Sequence, residues 1–326
     1  MNKEKSGILV AGTVIVDKIN TISAYPDCGQ LTKILSLQTA VGGCVPNVAH
    51  DLKRIDPELP VYAAGTIGAD EEGQLVKDTL GNAGVDISGL VELPGERTSF
   101  TEVMSILGGQ RTFFTYAGAS AQFGSEHVEF GTARLLHLGY FLLLDRVDNG
   151  EGLKILQAAK QAGLETSIDL VSENSDRYAV VRPCLPYTDY LIINELEAGK
   201  LADMEPTNEN LEAIARKLKD MGVHKRVIIH KPDRAVCCSE GGFCCVPSYA
   251  LPKGFIQGTT GAGDAFCAGA LMGIYRGWDD VQTLEFASAC AVMALGGADA
   301  SEGLRPIEET KAFCSQFNRQ QLEKEG

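Results

Sequence analysis

The chain has 326 residues, 44% hydrophobic and 22% charged, enough to bury a sizeable core as one large α/β domain or two modest ones. Its formal charge of −14 opposes binding to nucleic acid or anionic lipid, so an anionic ligand would need a local anion hole. No apolar run reaches the length of a membrane span or signal core, which makes a cytoplasmic protein the expectation.

In chain order, the short apolar run Ile8-Leu9-Val10-Ala11 reads as a first buried strand, with Asp17 soon after it. Residues of about 14–40 and again 97–117 alternate in polarity and are rich in β-formers. The second stretch contains a Gly108-Gly109 turn and predicts a hairpin; together the two predict a small β-sheet lid on the main domain. Between them, Gly42-Gly43-Cys44-Val45-Pro46-Asn47 opens a helix whose buried stripe is Val48, Leu52 and Ile55. Pro46 suits its first turn, and the two glycines let a ligand approach the backbone closely.

Leu153, Leu156 and Ala159 form a helical stripe that leads to the strand Thr166-Ser167-Ile168. Tyr190-Leu191-Ile192-Ile193 reads as a buried strand running into a helix at Asn194-Glu195. Leu211, Ile214, Ala215 and Leu218 predict a further helix, followed by the strand Arg226-Val227-Ile228-Ile229. Repeated β-α units with continuously apolar strands predict a mostly parallel sheet covered on both faces.

Ten cysteines are present, six of them scattered singly. Cys237-Cys238 and Cys244-Cys245 flank a Gly-Gly turn, and neighbouring strand residues face opposite ways, so one of each pair shares a face. The two-residue gaps of structural zinc are absent, and a plain hairpin is the reading.

The chemistry concentrates in Gly258-Thr259-Thr260-Gly261-Ala262-Gly263-Asp264-Ala265-Phe266. Phe266, Ala270 and Ile274 then follow on one helical face. Small residues crowd the first turn and leave its amides open to phosphate oxygens, while Asp264 stands within reach of a neighbouring hydroxyl. By spacing alone the same residues also describe a capped glycine turn.

Thr260-Gly261-Ala262-Gly263-Asp264-Ala265-Phe266 resembles the C-terminal signature of the ribokinase-like (PfkB) carbohydrate kinases. Four further segments resemble that family in the same order: Asp17, Gly42-Gly43 with Asn47, Gly65 to Gly73 with Asp70, and Asn194 with Glu197. The resemblance implies a single ribokinase-like domain over residues 1–326, a three-layer α/β/α fold with a mostly parallel sheet and a small β-sheet lid. It implies an ATP-dependent sugar kinase using Mg²⁺, with Asp264 as general base and Gly261, Ala262 and Gly263 as the anion hole. It assigns Asp17, Gly42, Gly43 and Asn47 to the sugar, and Asn194 to the triphosphate. Thr260, Lys231, Asp233 and Ser288 fall with the nucleotide, and Glu197 with hydrated Mg²⁺. A homodimer through the lid strands belongs to the same expectation, as does a small sugar as partner.

Three positions depart from the family pattern. Pro232 and Ala235 replace glycines in the loop after Lys231, which leaves Lys231 readable as a phosphate contact or as an exposed strand end. Gly258 stands where many relatives carry an Asp tied to a monovalent cation, and Ser288 where ribokinases often place an Asn. Gly109-Gln110-Arg111-Thr112-Phe113-Phe114 resembles the lid strands of fructokinase- and ketohexonate-type members more than adenosine kinases, and Ala117-Gly118-Ala119-Ser120 follows where many of those members have Gly-Ala-Asn. A nucleoside kinase and a catalytically silent binding or regulatory member are the alternatives. An oxidoreductase is excluded by the lack of Gly-x-Gly-x-x-Gly after the first strand, and no P-loop is present.

Overall fold

The computed structural model describes residues 5–106, 110–259, 261–297 and 303–322. Its strands, in chain order, are β1 (Ile8–Gly12), β2 (Ile15–Ile22), β3 (Ile34–Gly42), β4 (Val61–Gly68), β5 (Asp86–Leu93), β6 (Phe100–Ile106) and β7 (Arg111–Tyr116). There follow β8 (Leu135–Phe141), β9 (Glu165–Leu170), β10 (Tyr190–Asn194), β11 (Arg226–His230), β12 (Arg234–Ser239) and β13 (Gly242–Pro247). The helices are α1 (Cys44–Ile55), α2 (Glu71–Asn82), α3 (Gly152–Gln161), α4 (Glu195–Ala202), α5 (Leu211–Asp220), α6 (Ala262–Arg276), α7 (Asp280–Leu295) and α8 (Ile307–Cys314).

Nine strands form the main sheet in the order β13-β12-β11-β10-β9-β8-β1-β4-β5. Strands β11 to β5 are all parallel, and only β12 and β13 run antiparallel to their neighbours. Alternate residues of each apolar strand therefore enter opposite cores. Ile8, Val10, Ile192 and Ile228 pack with α1, α2, α6 and α7, whereas Leu9, Ala11, Ile193 and Ile229 pack with α3, α4 and α5. Burial on both faces is why these strands read as unbroken hydrophobic runs.

The two β-rich stretches pair with each other in a separate four-stranded sheet, β3-β2-β6-β7. Strand β2 is antiparallel to β3 and parallel to β6, and β6 is antiparallel to β7. The Gly108-Gly109 turn lies outside the described residues. In the cysteine hairpin Cys237 stands opposite Cys244, and all ten cysteines are free thiols.

Parallel order puts the ends of β8, β9, β10 and β11 on one edge of the main sheet. Helix α6 begins over that same edge, preceded by Gly261 at φ 80°, a left-handed turn open to glycine at no steric cost. Ligand sites of open α/β sheets are built at this carboxyl edge.

Candidate active site

Asp264 occupies the first turn of α6 and is 6% exposed. Two side chains from distant segments converge on it. Asn47 Nδ2 of α1 donates to its Oδ2 at 2.8 Å, and the Tyr140 hydroxyl donates to both carboxylate oxygens at 2.8 and 2.9 Å. Burial pushes the Asp264 carboxyl up to about 7; the Asn47 bond opposes this, buried Asp169 adds to it, and Tyr140 opposes it. A carboxylate poised there gains and loses a proton at neutral pH, the property required of a general base.

Tyr140 reaches Asp264 through an unusual backbone. Tyr140 and Leu142 sit at φ 62° and 77°, where bulky residues are rarely found. Asp169 at the end of β9 accepts from Tyr140 N at 2.5 Å, and Asp148 accepts from Leu142 N at 2.8 Å. Two carboxylates thus hold a strained turn that delivers one phenol to one carboxylate. Burial, with Asp264 next, pushes the Tyr140 hydroxyl well above its ordinary range, which keeps it a donor.

A cavity of about 270 Å³ lies at this point, lined by Tyr140, Asp169, Asn194, Glu197, Gly261 and Asp264 among others. Asn194 caps α4: its Oδ1 accepts from Glu197 N, and its own N donates to Glu197 Oε2 at 3.0 Å. Ser172 Oγ and Asn194 Nδ2 donate to Glu197 Oε1, each at 2.8 Å. Glu197 is nevertheless pushed up to about 7 by burial. Among the described residues no cation pairs with it. An oxygen-only donor set with unmet negative charge fits Mg²⁺, which binds one or two carboxylates and keeps its waters.

An adjoining groove of about 580 Å³ shares Asn194, His230 and Gly263 with that cavity. Pro232, Leu251, Ile256, Phe266 and Val292 make it apolar, and Lys231 and Ser288 also line it. Ser288 Oγ is buried there without a hydrogen-bond partner. His230 stacks on Phe266 with ring centroids 4.6 Å apart, and burial lowers its imidazole to about 4, so it is neutral at pH 7.

Asp233 does not line this groove. Its carboxylate turns to Lys231 at 3.4 Å and Arg234 at 3.0 Å, while Lys231 also pairs with Asn208. Thr260 lies outside the described residues. On the acceptor side, Asp17 of β2 packs so tightly on Gly42 that a Cβ there would stand 2.6 Å from Asp17 Oδ2. Gly43, at φ 88°, caps α1. Burial pushes Asp17 up to about 6.

Sequence reasoning missed Tyr140, Asp169, Ser172 and His230. Asp169 and His230 carried a usable signal, since each ends a buried strand at the carboxyl edge. Tyr140 carried none, because its role depends on a left-handed turn at a non-glycine residue.

A family model described as pfkB family carbohydrate kinase matches residues 8–306. Ribokinase from Arabidopsis thaliana is 24% identical over 292 residues, covering 88% of this chain and 76% of that protein. Adenosine kinase from Saccharomyces cerevisiae is 26% identical over 290 residues and 84% of each chain. The solved structure of Arabidopsis thaliana ribokinase complexed with ribose and ATP superposes with a TM-score of 0.82, covering 95% of this chain and 99% of that one at 22% identity. The Methanocaldococcus jannaschii nucleoside kinase gives 0.77 over 96% and 99% at 17% identity.

Proposed function

The chain belongs to the pfkB family of carbohydrate kinases, which are phosphotransferases, and from that premise we propose that it transfers the γ-phosphate of ATP to a hydroxyl of a small sugar. The observation that carries this reading is Asp264: a buried carboxyl near pH 7, fixed by Asn47 and Tyr140 at the open N-terminus of α6.

In this reading the sugar lies between Asp17 and Asp264. Asp17, raised to about 6, accepts from sugar hydroxyls; Gly42 leaves room for its carboxylate, and Gly43 for the close approach of Thr13 to the start of α1, so both glycines shape the sugar side of the cleft. Asp264 takes the proton from the acceptor hydroxyl as its oxygen attacks the γ-phosphorus and the ADP oxygen leaves. First-turn amides of α6 have no intrahelical acceptor, so those of Gly261 and Gly263 face the charge on the transferring group, and that of Ala262 joins them by giving up its long 3.4 Å bond to Thr259 O. The base of ATP occupies the apolar groove, where Ser288 Oγ gains its missing partner. Lys231 borders the phosphates; Asp233 acts through its ion pair with Lys231, not by direct contact. Asn194 orients Glu197, through which Mg²⁺ would be held and would neutralise phosphate oxygens.

The smaller sheet closes over the sugar and excludes water. Its exposed Leu35, Leu37, Phe113 and Phe114 support pairing with a second copy of the chain. Free thiols and an ATP donor support a cytoplasmic setting. No helix among the described residues is long and apolar enough to cross a membrane.

The sugar reading is supported by the resemblance of the lid segment 109–114 to sugar-kinase lids. The relatives include both sugar-acid kinases, such as the 5-dehydro-2-deoxygluconokinase of Shouchella clausii at 25% identity over 292 residues, and an adenosine kinase. The test is ADP release from Mg-ATP across ketoses, aldoses, sugar acids and nucleosides. Release with a sugar above all others is expected. Preference for a nucleoside would overturn the sugar assignment, and ligand binding with no turnover on any compound would favour a silent binding protein.

A further inference from the structure

Beneath Asp264 lies a group of donors that take no direct part in phosphoryl transfer, although one of them, Asp169, also holds the Tyr140 turn. Cys44 of α1, His137 of β8 and Asp169 of β9 bring Sγ, ring nitrogen and carboxylate oxygen within 4.8 Å of one another, and all three are buried. Cys267, one turn beyond Asp264 on α6, adds a fourth: its Sγ is 3.5 Å from His137 Nε2. Asp169 Oδ2 is also 3.5 Å from that nitrogen. Tetrahedral bonds of about 2.0–2.3 Å place donors roughly 3.3–3.8 Å apart. The two contacts to His137 Nε2 match that spacing, and Cys44 Sγ, within 4.8 Å of His137 and Asp169, closes on a cation by a small side-chain movement.

Two further features belong to such a site. His137 Nδ1 pairs with Ser167 Oγ at 3.1 Å; with the proton on Nδ1, the Nε2 lone pair points at the other donors, the outer arrangement that metal-binding histidines use. Gly139 makes room for the Cys44 thiol, since a Cβ there would stand 1.8 Å from Sγ. Access exists as well, because Asp169 and Cys267 line the 270 Å³ cavity.

We propose that Cys44, His137, Asp169 and Cys267 form a binding site for a thiophilic divalent cation, Zn²⁺, in the floor of the cleft. Binding releases two thiol protons to solvent and forms two Zn–S, one Zn–N and one Zn–O bond. Two thiolates and an imidazole select zinc over magnesium, which keeps this site distinct from the oxygen donors around Glu197. Asp169 Oδ1 holds the Tyr140 turn, so a cation on Oδ2 braces the support of Asp264.

The experiment titrates the nucleotide-free protein with Zn²⁺ against a chromophoric chelator and records the electronic spectrum with Co²⁺ in its place. One equivalent is expected, with tetrahedral Co²⁺ bands and a thiolate charge-transfer band. Both are lost in Cys44→Ser/Cys267→Ser and kept in Cys237→Ser/Cys244→Ser, with circular dichroism reporting the fold of each. Ser167→Ala, which leaves all four donors, weakens Zn²⁺ by roughly 10–100-fold. Equal binding by parent and the Cys44/Cys267 variant, or an octahedral Co²⁺ spectrum without a thiolate band, overturns the proposal.

Discussion

Asp264→Asn separates the chemistry of this residue from its cost to the fold. The carboxyl ordinarily titrates at 3.8, and in the folded chain it holds its proton to about 7. Between those values the native state binds a proton that the unfolded chain releases, so stability falls as pH rises from 4 to 7 and levels off above. At pH 8 the buried charge costs roughly 4 kcal/mol as an upper bound, and at pH 5, where the folded chain takes up a proton instead, the cost is roughly 1–2 kcal/mol. Asparagine carries no such charge. It forfeits hydrogen bonds from Asn47 or Tyr140, worth roughly 1–3 kcal/mol. Referred to the protonated carboxyl that loss is the same at both pH values, because the extra strength of these bonds to the ionised form is already contained in the value of about 7. Relative to the parent, the variant therefore gains roughly 2–3 kcal/mol between pH 5 and pH 8. Urea unfolding at the two pH values reads this difference directly. Turnover of the same variant falls by about 10²–10⁴-fold, the range of a lost general base. A stability gap that stays constant from pH 5 to 8 would refute the buried-charge argument, whatever happens to turnover.

Tyr140→Phe removes a donor to ionised Asp264, worth roughly 1.5–3 kcal/mol, and so moves the acid limb of kcat/KM up by about one to two pH units. An unmoved limb would place Tyr140 outside the proton path. Glu197→Gln raises the Mg²⁺ concentration for half-maximal turnover by about tenfold or more while leaving the sugar KM near the parent value, measured by magnesium titration at saturating ATP. Ser288→Leu fills the apolar groove, and the expected result is a KM for ATP raised at least about tenfold with the sugar KM unchanged. Leu35→Ser with Phe113→Ser exposes less apolar surface on the small sheet; light scattering is expected to show a dimer becoming a monomer.

The sequence by itself determined the parts whose physics is local. Continuous apolar strands such as Ile228-Ile229, with helical stripes such as Leu211, Ile214, Ala215 and Leu218 between them, specify a buried parallel sheet, and those residues are buried. The glycine turn before Asp264 and the capping pair Asn194–Glu197 are each encoded within a few residues, and both stand at the sheet's carboxyl edge. Tertiary structure alone decided what meets there. Asn47 bonds to Asp264 across 217 positions and Tyr140 across 124, and neither pairing has a local signature. Asp233 looked equivalent to Lys231 in the sequence, yet its carboxylate is engaged by the Lys231 and Arg234 side chains that line the groove, and Asp233 itself does not line it. Cys44 and Cys267 read as isolated cysteines because 222 residues of chain separate them. Folding puts α1, β8, β9 and α6 side by side, and only then do the two thiols stand with His137 and Asp169. Periodicity and capping act over one or two turns and survive in a one-dimensional reading. Contacts between segments depend on strand order and helix placement, which the packing of the whole core decides.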